Sequence, residues 1–355
     1  MTLDPEARLR QHLTQITPPN QALKETAMQR ELDLAKPRGS LGRLEHLAVQ
    51  LVSIQNTLRP RHQNKLIVVC AGDHGVVDEG VSPYPSDVTI QQIANFQKGG
   101  GAITTLGRTV GAKVLLLDVG INGDLPPHPG RIDKKIARGT QNMAKGPAMT
   151  REQAVLSILA GLETVLAEPE VDLVAAGEMG IGNTTPSSAI ASVLTGMTPE
   201  EATGRGSGLA PEKIAHKAGV IKKSIELNKP DPDDPIDVLA KVGGLEIGAM
   251  VGVCLGGAMR GAGVVIDGFI GAAAALLADR LSPGLANFLI AGHRSKEKAH
   301  FAVLEHLGLR PLLDLEMWLG EGSGAAVAMF VLQCACTHYN EMRTLAEAGV
   351  DDTVE

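Results

Sequence analysis

Val174-Ala-Ala-Gly-Glu-Met-Gly-Ile-Gly-Asn-Thr-Thr-Pro186 is the stretch that decides the fold. The apolar run from Val171 to Ala176 reads as a buried strand. A turn holding Gly177, Gly180 and Gly182 follows, with a carboxylate, Glu178, inside it. Asn183, Thr184 and Thr185 then open a helix of small residues, and Pro186 falls in its first turn, where a missing N–H is tolerated. A strand, a glycine turn and a polar helix start leave backbone N–H groups that can face an anion. An anion site beside a carboxylate points to chemistry on a phosphorylated substrate. The plainer alternative is a tight strand-to-helix turn whose Asn and Thr only cap the helix.

Working outward, residues 65–71, 114–119, 264–268 and 286–291 are further apolar runs that read as strands. Helical patterns separate them, at about 87–97, 102–110, 150–168, 211–228, 244–261, 271–278 and 295–307. Strands of near-continuous apolar content alternating with helices predict an α/β fold, a doubly wound, mainly parallel sheet of Rossmann-like topology. Residues 121–150 read as irregular. The glycine- and alanine-rich helices at 244–261 and 271–278 would offer a surface for association if exposed. Toward the N-terminus, 5–34 looks helical, and Ser40 is a plausible cap for a helix carrying Leu44, Leu47, Leu51 and Ile54 on one face. A long apolar helix is expected over 324–345. Residues 1–60 and 325–355 are therefore expected to form a small helical domain beside a large α/β domain at 61–324. The carboxyl-end loops of such a sheet form its site. Here they are 72–87, 118–124, 177–185, 267–271, 292–296 and 320–324, and they hold the polar residues of interest.

Composition narrows the function. The chain has 355 residues, 44% hydrophobic and 21% charged, enough for a full core. A net charge of -7 and an aromatic content of 2% disfavour nucleic acid as a partner. Cys70, Cys254, Cys334 and Cys336 match no zinc or redox spacing and read as small buried thiols in a reducing compartment. The first residues lack the form of a signal peptide, and no apolar run reaches the roughly 18 residues of a membrane span. A cytoplasmic protein with no membrane partner is expected.

A second carboxylate flanked by glycines is Glu321, in Leu319-Gly-Glu-Gly-Ser-Gly324. It precedes a helix, where the dipole favours negative charge, with Ser323 as a possible cap. Two carboxylates on neighbouring loops can serve as a base and a cation stabiliser. Asp73, His74 and His293 also stand at strand ends; loop-holding hydrogen bonds suit them better than a metal site, since no metal-ligand spacing is present. The other eight histidines read as surface or helix-face residues. Lys217, after the Gly204–Gly208 loop, can reach a phosphate, whereas Lys213, Lys222 and Lys223 suit a solvated face. Neither a Walker loop nor a dinucleotide fingerprint occurs.

Several stretches together resemble one family, the nicotinate-nucleotide:dimethylbenzimidazole phosphoribosyltransferases of cobalamin assembly. They are Lys36-Pro-Arg-Gly-Ser-Leu-Gly-Arg-Leu-Glu45, Asp73-His-Gly-Val-Val-Asp-Glu-Gly80, Asp118-Val-Gly-Ile121, Gly177-Glu-Met-Gly-Ile-Gly-Asn-Thr-Thr185, Lys241-Val-Gly-Gly244, Asp267-Gly-Phe269 and Leu319-Gly-Glu-Gly-Ser-Gly-Ala-Ala326. The resemblance implies transfer of the 5-phosphoribosyl group of nicotinate mononucleotide to 5,6-dimethylbenzimidazole, with inversion at the anomeric carbon. It implies Glu321 as general base with Glu178 in support. The phosphate is then held by Gly180, Gly182, Asn183, Thr184, Thr185, Gly206 and Lys217, and Ser295 lies near the nucleotide. The base pocket is then on segment 82–96, where Gln92 matches the family and Tyr84 departs from it by standing in place of a serine; Ser86 and Leu319 are further substrate-binding positions. The resemblance further implies a homodimer that needs no metal or other cofactor. Two alternatives stay open: a phosphoribosyltransferase acting on another base, such as adenine or a phenol, and a non-catalytic nucleotide sensor.

Overall fold

A computed structural model describes residues 4–351. Six parallel strands form one sheet in the order β3-β2-β1-β4-β5-β6. They are β1 (Lys65–Gly72), β2 (Ala112–Gly120), β3 (Arg131–Asp133), β4 (Leu173–Met179), β5 (Gly263–Ile266) and β6 (Leu289–Ala291). This is a doubly wound parallel sheet, the class expected from the alternating pattern, with the strand order reversing direction across the sheet between β1 and β4. Register pairs Val69 with Leu116 and with Gly177, so the ends of β1, β2 and β4 lie level.

Side chains alternate across the sheet, as period two requires. Leu66, Val68 and Cys70 face one apolar layer with Leu117, Val174 and Val264. Ile67, Val69 and Ala71 face the other with Leu116, Ala175 and Val265. The first layer is closed by the helices Arg151–Leu166, Leu245–Met259 and Phe269–Leu281. The second is closed by Arg43–Gln55 and Ser323–Glu341, with Gln21–Asp33 packed on Arg43–Gln55. The helix Pro5–Leu13 crosses to the first side and packs on Arg151–Leu166.

Several sequence expectations need correction. The opening strand does not stop at Ala176: β4 continues through Met179, so Gly177 and Glu178 are strand residues. Glycine had signalled a turn there, but its role is close approach of another backbone. Residues 131–133, read as irregular, form the edge strand β3. The last strand is only Leu289–Ala291, because Leu285–Phe288 forms a 3-10 turn. The helix Arg43–Gln55 starts at Gly42, with φ +55°, and Ser40 does not cap it. Ser323 is likewise no cap: the position is Gly322, with φ +92°. The small-residue helices are core, not surface. A Cβ on Gly161 would overlap the Ala249 carbonyl, so glycine is what lets the helices Arg151–Leu166 and Leu245–Met259 touch. Cys334 is half-buried, unlike the other three thiols, and His300 is fully buried.

Candidate active site

The carboxyl ends of the strands open into one cleft. Its walls come from the turn after β4, the loops after β5 and β6, the Arg205–Ser207 loop, and Trp318–Gly320. Glu178 stands at the end of β4 and is buried. Its Oε1 accepts the Glu321 N–H at 3.0 Å, and its Oε2 accepts from Asn183 Nδ2 at 2.6 Å. Gly177 makes the first contact possible, because a Cβ there would overlap the Glu321 carbonyl. Asn183 occupies the cap position of the helix Thr184–Thr195, yet its side chain is spent on Glu178 and makes no capping bond. Burial pushes the Glu178 carboxyl up to about 8, against the Glu321 N–H and Asn183 bonds. At neutral pH the group is therefore mostly protonated.

Glu321 sits beside it in left-handed backbone, φ +63°. A side chain in that region costs roughly 1–2 kcal/mol, so the surroundings must impose it. They do so through hydrogen bonds: Glu178 takes its own N–H, and Asp267 Oδ2 takes the next, from Gly322, at 3.1 Å. The Glu321 side chain is buried, with the residue 7% exposed. Its Oε2 accepts the Ile103 N–H at 3.4 Å, at the N-terminus of the helix Ala102–Thr109. Burial raises its pKa, the Ile103 bond opposes, and the Asp267 charge adds to the rise.

The cleft also holds a buried ammonium, with the Glu297 carboxyl nearby. Lys217, on the helix Pro211–Asn228, is buried and donates from Nζ to Thr184 Oγ1 at 2.7 Å. Burial draws its ammonium down to about 8, and nearby Glu297 opposes this. Gly206 closes over the pair with φ +54°; a Cβ there would stand 2.7 Å from Thr184 Oγ1 and 3.4 Å from Lys217 Nζ. Gly180–Asn183 and Arg205 line the same cleft, Arg205 being exposed with its Nε donating to the Leu209 carbonyl at 3.3 Å. An ammonium, a hydroxyl and a helix N-terminus together can cradle an anion. Lys213, Lys222 and Lys223 are exposed on the same helix.

Glu178, Gly180, Gly182, Asn183, Thr184, Gly206, Lys217, Ser295 and Leu319 all line this cleft, whereas Glu321 stands just behind its lining, next to Gly320 and bonded to Glu178 through its N–H. Thr185 lies behind the wall, fully buried with its hydroxyl unpartnered. From the expected base-pocket segment, 82–96, Ser82 reaches the cleft wall beside Val81, while Tyr84, Ser86 and Gln92 do not. Tyr84 is exposed, and Gln92 accepts from Asn95 on the helix Asp87–Gln97. His74 is a loop-holding residue, paired with buried Glu246 at 2.7 Å, and Asp73 accepts the Asn122 N–H at 2.7 Å. His293 lines the cleft, with Nε2 at 3.7 Å from Asp267. Asp267, Glu297 and Glu246 were given no role from sequence. Asp267 and Glu297 at least lie on or beside strand-end loops, which was the available signal. Among the described residues no group of three His, Cys, Asp or Glu side chains gathers as metal ligands would.

Comparison with known proteins shows the family and the fold. A family model described as Phosphoribosyltransferase matches residues 16–350. The nicotinate-nucleotide–dimethylbenzimidazole phosphoribosyltransferase of Desulforudis audaxviator (strain MP104C) is 51% identical over 344 residues, covering 96% of this chain and 98% of that protein. The protein of the same name from Chloroflexus aurantiacus (strain ATCC 29366 / DSM 635 / J-10-fl) is 48% identical, with the same coverage of 96% and 98%. The crystal structure of CobT from Thermus thermophilus superposes with a TM-score of 0.89 at 44% identity, over 93% of this chain and 99% of that one.

Proposed function

The chain belongs to the nicotinate-nucleotide–dimethylbenzimidazole phosphoribosyltransferase family, and on that premise we propose that it moves the 5-phosphoribosyl group of nicotinate mononucleotide to 5,6-dimethylbenzimidazole, with Glu321 as base. The C1′–N bond to the pyridinium breaks, and its electron pair leaves with nicotinate as a neutral ring nitrogen. No proton donor is needed for that departure. A benzimidazole nitrogen attacks C1′ from the opposite face, so the anomeric configuration inverts to give α-ribazole 5′-phosphate. The attacking ring becomes cationic and sheds the proton of its other nitrogen to the Glu321 carboxylate.

The observation that carries this reading is the setting of Glu321. It is a mostly buried carboxylate held rigidly, and its hydrogen bond comes from a neutral N–H, Ile103, not from a cation. Such a group keeps its basicity and is ionised above its raised pKa. Glu178, pushed up to about 8, suits positioning better than charge stabilisation. The Lys217–Thr184–Gly206 cradle takes the 5′-phosphate. The subunit works as a homodimer in this proposal.

The test is product analysis. Purified protein is supplied with nicotinate mononucleotide and, separately, 5,6-dimethylbenzimidazole, adenine or a phenol, and the product's anomeric proton is read by NMR. The expected result is base-dependent nicotinate release and an α-linked product with dimethylbenzimidazole. Turnover with another base only, a β-linked product, or no turnover with any base contradicts the proposal.

A further inference from the structure

Asp267, on the loop after β5, takes no part in the steps above. It is 3% exposed and lines the cleft. Its carboxylate nonetheless spends itself on the start of the helix Ser323–Glu341: Oδ2 accepts the Gly322 N–H at 3.1 Å and Oδ1 the Ala325 N–H at 2.9 Å, with the Gly324 N–H also directed to it. Glu321 and Gly322 are consecutive left-handed residues, with φ +63° and +92°. That backbone persists only where neighbours over-determine it. Two carboxyl groups from adjacent strand ends supply the determination, Glu178 on the N–H of Glu321 and Asp267 on the N–H that follows.

We infer that Asp267 is a positioning residue for the base, fixing the peptide after Glu321 and thereby the direction of the Glu321 side chain. The inference rests on Glu321 being the base. It also makes Asp267 part of the base's electrostatic setting. The titratable groups gathered at this loop are Glu178 from β4, Asp267 after β5 and His293 after β6, the last with Nε2 3.7 Å from Asp267. The Asp267 charge is one cause of the raised Glu321 pKa, so neutralising it lets that pKa fall.

Asp267→Asn keeps the shape but turns an N–H₂ donor toward an N–H, which breaks one of the bonds. The experiment measures kcat and KM for nicotinate mononucleotide across pH, alongside Glu321→Gln. The expected result is a kcat loss of about 10²-fold, the scale of a displaced catalytic group, with KM little changed. The acid limb of the kcat profile moves to lower pH. Retained kcat overturns the inference. A kcat loss with an unmoved acid limb also overturns it, since that is what general loosening gives. If Asp267→Asn does not fold, Asp267→Ser, whose hydroxyl can accept one N–H, carries the same readings. An active Glu321→Gln points instead to failure of the base assignment, whereas an inactive Glu321→Gln beside a normal Asp267→Asn removes only the positioning role.

Discussion

Replacing Lys217 by Met removes a charge whose cost and use can both be read from its surroundings. The residue is 1% exposed, and burial draws its pKa from the ordinary 10.5 to about 8. That fall corresponds to roughly 3 kcal/mol against the charged form in the folded, ligand-free protein. A lowered lysine pKa is a destabilising feature: it is fully present below about 8 and fades as pH rises toward the ordinary lysine value. Losing the bond to Thr184 offsets about 1 kcal/mol. Lys217→Met should therefore raise the melting temperature at pH 7 by the equivalent of about 2 kcal/mol, with the gain shrinking above pH 8. On the proposed phosphate role, the same change should remove a charge-assisted bond to phosphate, about 1.5–3 kcal/mol, or about 10- to 150-fold in KM for the nucleotide. Thermal melts without ligand and initial rates of nicotinate release supply the two readings. An unchanged KM with collapsed kcat would refute the phosphate role, and a lowered melting temperature would refute the reading of Lys217 as a destabilising charge.

Two further outcomes follow from the same site. KM for nicotinate mononucleotide should rise as pH increases through about 8, because free Lys217 loses its proton there; a KM that stays flat on the alkaline side of that value counts against it. Glu178→Gln should retain most of kcat at neutral pH, since the native group is already mostly neutral and a flipped Asn183 amide can accept from the new N–H₂; a drop of the size expected for a lost base, about 10²-fold or more, means that Glu178 works as an anion.

Much of the architecture was legible because it rests on apolar runs. Val171–Ala176, 65–71 and 114–119 each announced a buried parallel strand, and their alternation with helices announced a doubly wound sheet, though not its order or its edge strand β3. What failed was local. Gly177 reads as a turn residue from sequence, while its use is to admit the Glu321 carbonyl from far along the chain, a contact that leaves no trace in local pattern. Gly42 and Gly322 took the cap positions from Ser40 and Ser323 because left-handed backbone was needed there. The cleft wall was legible where glycine clusters flank a carboxylate or a helix start, as at Glu178 and Thr184. Asp267 and Glu297 were not, because their roles come from which loops the sheet brings together. The neutral state of Glu178 was equally hidden, since it depends on burial.

The central claim is that Glu321 takes the benzimidazole proton, and single turnover with Glu321→Gln bears on it most directly. Enzyme in excess is mixed with bound nicotinate mononucleotide and 5,6-dimethylbenzimidazole, with nucleotide affinity measured separately by titration. The expected result is a chemical step slowed by about 10²–10⁴-fold, with nucleotide affinity preserved. A chemical step within a few-fold of the unaltered protein would contradict the claim.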